Sequence, residues 1–145
     1  MRIDVWSDVV CPWCYIGKRR LEKALDGFAH ADEVEVVWRS YQLDPGAPQV
    51  PTENAVESLA KKYGGGMDGA RQMMDQVEAV AAEEGLLYRL SQTLRVNTVD
   101  AHRLLHLALH AHGPVVQGQL KEALLAAYFV EVRNVADHDT LTRIA

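Results

Sequence analysis

The chain has 145 residues, of which 48% are hydrophobic and 24% are charged, and it carries a formal net charge of -5 with a pI near 5.6. This size and balance indicate one folded domain and argue against a disordered or fibrous chain. The acidic character also argues against a generic nucleic-acid binder or a basic membrane-surface protein.

The N-terminus shows no sign of a targeting segment. No positively charged stretch followed by an apolar run opens the chain, and no apolar run is long enough to span a bilayer. We therefore expect a cytoplasmic protein that interacts with neither membranes nor nucleic acid.

The first elements along the chain predict a strand–helix–strand unit. Residues 2–6 alternate between apolar and polar side chains, as a short strand does, and residues 11–28 then adopt helical spacing. Residues 34–41 form a second strand. A crossover of this length indicates that the two strands are parallel. One face of the second strand carries Val34, Val36 and Trp38.

A linker rich in proline and glycine separates this unit from a helical region. Residues 44–51 read DPGAPQVP, which leaves no room for a regular element. The helices expected beyond it cover residues 53–63, 67–84, 98–112 and 115–132, and another begins near Asp137. The predicted organisation is therefore a βαβ half at 1–43, a linker at 44–51, and an all-helical region at 52–145 that ends inside a helix. The first of these helices is expected to start at the capping signal Thr52-Glu53.

Two strands make an incomplete sheet. A two-stranded sheet is marginally stable, and the first strand would leave an apolar edge unpaired. We therefore expect that the native chain continues past Ala145 or that a partner supplies further strands, self-association into a homo-oligomer included.

Both cysteines of the chain lie in one CxxC segment, at Cys11 and Cys14, between the first strand and its helix. Residues three apart on a helix are neighbours, so the two sulfurs can form a disulfide. The free N–H groups and dipole at the helix start favour a thiolate at Cys11 and should lower its pKa below about 8.5. We expect Cys11 to attack a disulfide and Cys14, the more buried thiol, to resolve the mixed disulfide.

The two residues inside the CxxC segment should tune this chemistry. Pro12 removes one N–H donor and stiffens the turn, and Trp13 contributes no charge. We expect a thiolate that is less stabilised than in the most oxidising dithiols, and hence a more reducing couple.

The CxxC segment also fits a metal site or a structural role. A structural zinc site needs four ligands, and no second CxxC is present, so histidines would have to complete it. His102, His106 and His110 do follow one helical stripe, although a histidine-rich polar edge is the simpler interpretation. Two inert, buried cysteines are a third alternative. We favour the redox pair, without a metal, because a CxxC between a strand and a helix is typical of it.

Four segments in this order resemble the DsbA-like FrnE family of thiol oxidoreductases: CPWCYIGKRRLEKAL, WRSYQLDP, NTVDAHRLLHLA and LKEALLAAYFVEVRNVADHDTL. The resemblance implies an α/β protein with a thioredoxin-like fold and an all-helical domain inserted after the second strand. In such proteins the chain then returns to the thioredoxin core, so the C-terminal part of that core is expected to be missing from these 145 residues.

The same resemblance implies roles for individual residues. Cys11 is the expected nucleophile and Cys14 the resolving thiol. The segment from Asn97 to His102 is expected to lie over the active-site groove, which makes Asn97, His102 and Arg103 candidate substrate contacts. The alternative for Asn97 is helix capping, and for Arg103 a solvated or ion-paired helix face.

The resulting functional prediction is a dithiol–disulfide oxidoreductase, acting as a reductase or isomerase on protein or small-molecule disulfides. It requires no cofactor beyond the dithiol itself, and an external thiol reductant must recycle it, because the chain has no third cysteine. One rival is a glutathione-dependent isomerase or transferase of the 2-hydroxychromene-2-carboxylate isomerase or kappa-class type, with glutathione as reductant or co-substrate. Another is a binding module whose dithiol only senses redox state or captures a soft metal.

Overall fold

A computed structural model describes residues 1–145. The regular elements, in chain order, are β1 (Arg2–Ser7), α1 (Pro12–Asp26), β2 (Glu35–Ser40), α2 (Ala55–Tyr63), α3 (Gly66–Glu83), α4 (Val99–His112), α5 (Pro114–Phe129) and α6 (His138–Ile144). Two short 3-10 turns lie at Ala31–Glu33 and Leu90–Gln92. No helix combines the length and the apolar character needed to cross a lipid bilayer.

The N-terminal strands form a parallel pair joined by α1, as the sequence predicts. Arg2 pairs with Glu35 and the register runs without a bulge to Ser7 opposite Ser40. The sheet contains only these two strands, so no strand pairs with the outer edge of β1.

A glutamine side chain from α5 covers the outer edge of β2. Gln117 is fully buried; its Oε1 accepts from the Trp38 N–H at 3.0 Å and its Nε2 donates to the Trp38 carbonyl at 2.8 Å. The amide thus replaces one residue of a neighbouring strand and satisfies two backbone groups that would otherwise be buried without partners.

Burial does not alternate along β2. Trp38 is 6% exposed, and Val36 on the same face is half-buried, but Val37 on the opposite face is only 2% exposed. Both faces of the strand are therefore covered. This is the usual situation of a parallel strand, and an alternation rule taken from half-exposed sheets misses it.

The helical region follows the predicted order with small shifts in its boundaries. The main correction is at α2, which Asn54 caps in place of Thr52-Glu53. Asn54 Oδ1 accepts from the Glu57 N–H and Glu57 Oε2 accepts from the Asn54 N–H, both at 2.9 Å. This reciprocal pair is a capping box. Between α4 and α5, Gly113 adopts a φ of +84°, which a residue with a Cβ rarely tolerates.

One hydrophobic core unites α1 with the helical region. Tyr15 and Ile16 of α1 and Val9 of the preceding loop belong to the same buried cluster as residues from α2 to α6. The helical members include Val56, Met74, Ala101, Leu105, Leu124, Leu125, Phe129 and Leu141. The position of the CxxC segment is therefore determined by packing against α5 and its neighbours as well as by β1.

Candidate active site

The CxxC segment forms the junction between β1 and α1. Cys11 is the N-cap residue of α1, with φ -94° and ψ 111°, and Pro12 occupies the first helical position, where its missing N–H costs nothing. The Cys14 N–H donates to the Cys11 carbonyl at 3.1 Å. The N–H groups of Trp13 and Cys14 lie close enough to the Cys11 sulfur to favour its thiolate.

The two thiols interact strongly enough to favour a single thiolate between them. The hydrogen bond from Cys11, opposed by burial, lowers the pKa of Cys14 to about 6, with help from the Asp8 N–H and Lys121. The same hydrogen bond, together with burial, raises the pKa of Cys11, because its ionisation would place a second negative charge beside the first.

The prediction that the lowered pKa belongs to Cys11 stays a prediction, because the two interacting thiols share one charge between them. The sequence shows the helix start, which favours charge on Cys11. It does not show Lys121 and the Asp8 N–H, which favour charge on Cys14. Cys14 is also not clearly the more buried thiol, since both cysteines are half-buried.

Asp8 connects the CxxC loop, the linker and α4. Its carboxylate is buried, and Oδ1 accepts from the Val9 N–H at 2.8 Å while Oδ2 accepts from the Leu43 N–H at 2.8 Å. The Nε2 of His102 lies 3.0 Å from Oδ1 and donates to it, since an ionised carboxylate can only accept. Burial acts to raise the pKa of Asp8, but these hydrogen bonds, His102 foremost, hold it below its usual value.

Lys121 of α5 brings a second buried charge to the site. Its side chain is 0% exposed and its Nζ has no hydrogen-bond partner. The ammonium lies 5.8 Å from the centroid of the Trp38 ring, and the negative charges that act on it most strongly are those of Cys14 and Asp8. Burial lowers the pKa of Lys121 to about 8 despite these neighbouring negative charges.

An aromatic layer supports the CxxC loop from within the core. The Tyr88 hydroxyl donates to the Pro12 carbonyl at 2.7 Å, and its ring stacks on Phe129 with centroids 4.7 Å apart. Tyr88 also stacks on Tyr15 at 6.0 Å. The loop between the two cysteines is thus held by a residue that lies 76 positions further along the chain.

Comparison with known proteins agrees with this geometry. The family described as the DSBA-like thioredoxin domain matches residues 2–145, essentially the whole chain. The chain belongs to the DsbA-like thioredoxin family. A Streptomyces coelicolor protein described as a probable DsbA oxidoreductase has a crystal structure that matches with a TM-score of 0.90 and 42% identity. The uncharacterized protein YwbO of Bacillus subtilis (strain 168) is 29% identical over 150 residues.

This chain spans only part of those relatives. All of it aligns in both comparisons, but it covers 61% of the Streptomyces chain and 64% of the Bacillus protein. The DsbA-like thioredoxin fold predicted from the sequence is confirmed, with two strands and six helices in the described residues.

The DsbA-like fold places the other predicted site residues in different surroundings. Trp13 is 53% exposed beside the cysteines, and Pro12 is half-buried. His102 is 6% exposed and bonds to Asp8, so it lies beneath the loop and not on an open surface. Arg103 has a side chain that is 77% exposed and pairs with Asp100 on its own helix.

Asn97 uses its side chain to fasten the linker to the start of α4. Its Nδ2 donates to the carbonyls of Pro45 at 3.1 Å and Ala47 at 3.0 Å. Its Oδ1 accepts from the Val99 N–H and from Gln42 Nε2, both at 2.9 Å. These bonds support the helix-capping alternative; a substrate contact by Asn97 stays a prediction.

The histidine stripe on α4 divides between interior and surface. Only His102 points inward, while His106 is exposed and bonds to Ser40 Oγ at 3.0 Å, and His110 is exposed as well. In the structure, no three His, Cys, Asp or Glu side chains converge as a metal site would require.

Sequence reasoning missed Asp8, Lys121 and Tyr88. Signals for the first two exist: Asp8 is a carboxylate three positions before Cys11 at the end of a strand, and Lys121 falls on an apolar helical stripe. That stripe runs through Gln117, Leu124, Leu125 and Tyr128, all of which are buried. Tyr88 has no comparable signal, because it follows a helix in a segment without periodicity.

Proposed function

We propose that this chain supplies the redox dithiol of a thiol–disulfide oxidoreductase that reduces or isomerises disulfides. The observation that carries the proposal is the placement of the two cysteines at the start of α1: Cys11 is the N-cap residue, and Cys14 lies one turn further, with its N–H bonded to the Cys11 carbonyl at 3.1 Å. Membership of the DsbA-like family and the name of the Streptomyces relative support the same reaction class.

In the proposed cycle, Cys11 is the sulfur that attacks. In the first step a proton moves from the Cys11 thiol to Cys14. The N–H groups of Trp13 and Cys14 assist this step, because they stabilise a thiolate on Cys11. The Cys11 thiolate forms a bond with one sulfur of the substrate disulfide, and the other sulfur leaves as a thiolate that is protonated. Cys14 then loses its proton and attacks Cys11, which releases the second substrate thiolate and forms the Cys11–Cys14 disulfide.

The residues between the cysteines support a reductase or isomerase more than a strong oxidant. Pro12 and Trp13 are both neutral, so neither adds a positive charge that would stabilise a thiolate. A less stabilised thiolate favours the reduced form less, which corresponds to a more reducing couple.

The proposal includes the partners of the cycle. The substrates are disulfides of proteins or small molecules, and the chain has no further cysteine to pass electrons onward. In this cycle an external thiol, with glutathione as the simplest example, returns the Cys11–Cys14 disulfide to the dithiol. We place this cycle in the cytoplasm, where such thiols are reduced.

The test compares Cys11→Ser and Cys14→Ser in the full-length protein. With dithiothreitol as reductant and insulin as substrate, Cys11→Ser should lose about 100-fold or more of the turnover, since it removes the nucleophile. Cys14→Ser should instead accumulate a mixed disulfide on Cys11, seen by mass spectrometry. Recovery of activity from a protein with scrambled disulfides would separate an isomerase from a reductase.

The rival glutathione-dependent reaction predicts a different pattern. A glutathione isomerase or transferase needs one activating residue, so Cys14→Ser would keep the full rate of a glutathione-dependent reaction and trap no protein substrate. That result, or full insulin turnover in Cys11→Ser, would contradict the dithiol mechanism.

A further inference from the structure

The outer edge of β2 carries backbone groups that nothing in the protein pairs. The N–H groups of Glu35 and Tyr41 donate toward β1, at 2.9 and 3.2 Å. Because the backbone groups of successive strand residues point to opposite sides, those of Val36 and Trp38 point away from β1. Gln117 satisfies the groups of Trp38, but the N–H and C=O of Val36 have no partner.

These unpaired groups lie in a cleft between α1, β2 and the start of α5. The cleft has a volume of about 720 Å³, and Val34, Val36 and Trp38 contribute its β2 side. The Val34 carbonyl has no partner either. The cleft therefore presents two carbonyls and one N–H in a row along a strand edge, which is the pattern that a neighbouring strand pairs with.

The walls of the cleft are apolar where they flank this edge. Leu21 and Leu25 line it from α1, and Val115 lines it from α5. The two leucines are half-buried and Val115 is 72% exposed, so apolar surface remains available to a ligand. Free backbone groups beside apolar walls suit an extended chain, whose alternate side chains can contact the walls while its backbone bonds to the edge.

The rim of the cleft is charged, with an excess of negative groups. Its charged residues are Lys18, Arg19, Glu22, Glu35 and Glu122. The two cations pair with Glu22 and Glu122. Glu35 has a half-exposed side chain, and its cationic neighbour is Arg2 at 3.8 Å, a surface pair that contributes little. Glu35 is therefore available to a basic side chain of a ligand.

Gln117 shows that the edge accepts an amide as its neighbour. Its side-chain amide offers one N–H donor and one C=O acceptor, as a peptide group does, and makes both bonds to the backbone of Trp38. Val36 presents the same pair of groups two residues earlier, about 7 Å along the strand, without a partner.

We propose that the cleft at the outer edge of β2 binds an extended segment of another polypeptide as an added strand. The segment pairs its backbone with Val36 and Val34, places apolar side chains at alternate positions against Leu21, Leu25 and Val115, and carries a basic side chain opposite Glu35. About four residues face the stretch from Val34 to Trp38. The inference goes beyond the proposed function and does not depend on the dithiol.

The first test uses a synthetic peptide as probe. Fluorescein-labelled KVTVTV is titrated with the full-length protein, and binding is followed by fluorescence polarisation. We expect saturable binding, about threefold weaker for EVTVTV because of Glu35. The same KVTVTV peptide with its central valine N-methylated keeps every side chain but loses one N–H, and should bind about tenfold more weakly. No saturation up to about 1 mM, or equal binding of the N-methylated peptide, would overturn the proposal.

The second test fills the cleft from α5. Gly118 lines the cleft, and a Cβ added there would lie 3.7 Å from Trp38 Nε1, an ordinary contact. Gly118→Ala should therefore leave the affinity for KVTVTV within about twofold, whereas the larger side chain of Gly118→Leu should weaken it about tenfold. Both variants replace glycine inside a helix by a better helix former, which favours folding. Equal affinity of the two variants would contradict binding in the cleft.

The third test reads the edge itself in the wild-type protein. Amide hydrogen exchange is measured by NMR at Val36 and at Glu35, whose N–H already donates toward β1. Addition of KVTVTV should slow exchange at Val36 about tenfold and leave Glu35 unchanged. If Val36 is as protected as Glu35 without peptide, the rest of the chain or a second copy covers the edge, and the proposal is overturned. This measurement decides if Gly118→Leu does not fold.

The outcomes also separate this inference from the function of the dithiol. Lack of insulin turnover in the wild-type protein would contradict the proposed function, while peptide binding at Val36 would still support the added strand. Insulin turnover together with unchanged exchange at Val36 would overturn the docking site and leave the dithiol cycle intact.

Discussion

Lys121 and Glu122 are adjacent on α5 but belong to two clusters of charge that differ in how completely they are paired. The outer cluster consists of Lys18, Arg19, Glu22 and Glu122 and joins α1 to α5. The inner cluster consists of Asp8, Cys14, His102 and Lys121 and lies beneath the CxxC loop. One helix therefore presents an anion to the first and a cation to the second.

The outer cluster has a hydrogen bond for every charge. Glu122 accepts from Lys18 and Arg19 and also from the Tyr15 hydroxyl at 2.6 Å, and both acidic members are partly exposed. The hydrogen bonds hold the two helices together, and nothing in the cluster is left to react.

The inner cluster is buried more deeply and paired less completely. Lys121 Nζ and His102 Nδ1 are both buried without partners. A buried polar group without a hydrogen-bond partner is costly, so such groups are found at functional sites more often than fully paired surface charges are. The inner cluster is therefore the better candidate for a functional site.

The largest effect on stability should come from Asp8→Asn in the inner cluster. Three donors converge on the carboxylate of Asp8, and an amide offers only one acceptor atom, so its NH2 group would face a donor. We expect the free energy of unfolding to fall by about 3 kcal/mol, the cost of leaving buried donors unsatisfied. Urea denaturation at neutral pH measures the change.

Asp8→Asn should also change the pH at which the Cys14 thiol ionises. The negative charge of Asp8 opposes ionisation of Cys14, although its N–H assists it. Once the carboxylate is neutral, the Cys14 thiolate should titrate at lower pH in a variant that remains folded. If Asp8→Asn lost less stability than the outer-cluster variant Glu122→Gln, the inner cluster would not depend on its carboxylate more strongly than the outer cluster does.

The sequence predicted the framework of the site because that framework is local. The period change from strand to helix, Pro12 at the first helical position, and the spacing of Cys11 and Cys14 all lie within one short segment. The order of the helices beyond the linker was predictable for the same reason, with errors only at boundaries such as Asn54.

The surroundings of the dithiol were not predictable because they come from distant parts of the chain. His102 bonds to Asp8, which lies 94 residues earlier in the chain, and Tyr88 bonds to Pro12, which lies 76 residues earlier. Lys121 could be noticed as a polar residue on an apolar stripe, yet the same is true of Gln117, which is structural. Only the fold shows that one has its bonds satisfied and the other does not.

An intermediate effect should follow from Glu122→Gln in the outer cluster. Burial acts to raise the pKa of Glu122, but hydrogen bonds from Arg19 and Lys18 lower it to about 2. Because the folded pKa is depressed, the stabilisation is complete above the ordinary pKa of 4.5 and is lost as the pH falls toward 2. We expect Glu122→Gln to lose about 1 to 2 kcal/mol at neutral pH, given the partial exposure of the carboxylate.

The pH dependence of stability distinguishes the loss of the Glu122 ion pairs from a nonspecific loss of stability. Denaturation curves measured between about pH 2 and 6 should show a flatter acid limb in Glu122→Gln than in the wild-type protein. The thiolate titration should move little, since Glu122 is not among the groups that act most strongly on Cys14. A large shift in that titration would mean that the outer cluster also takes part in the chemistry.

The smallest effect should come from Tyr88 and Tyr15, which stack on each other between the two clusters. The Tyr88 hydroxyl bonds beside the cysteines, and the Tyr15 hydroxyl bonds within the outer cluster. Tyr88→Phe removes the bond to the Pro12 carbonyl, and Tyr15→Phe removes the bond to Glu122. Tyr88→Phe should lose about 1 kcal/mol of stability and change the alkylation rate of Cys11 about twofold, since a looser loop holds the sulfur less firmly. Tyr15→Phe should lose at least as much stability, because its partner is charged, and leave the alkylation rate unchanged. If both variants changed that rate equally, the aromatic layer would transmit strain between the clusters, and the two clusters would not act separately.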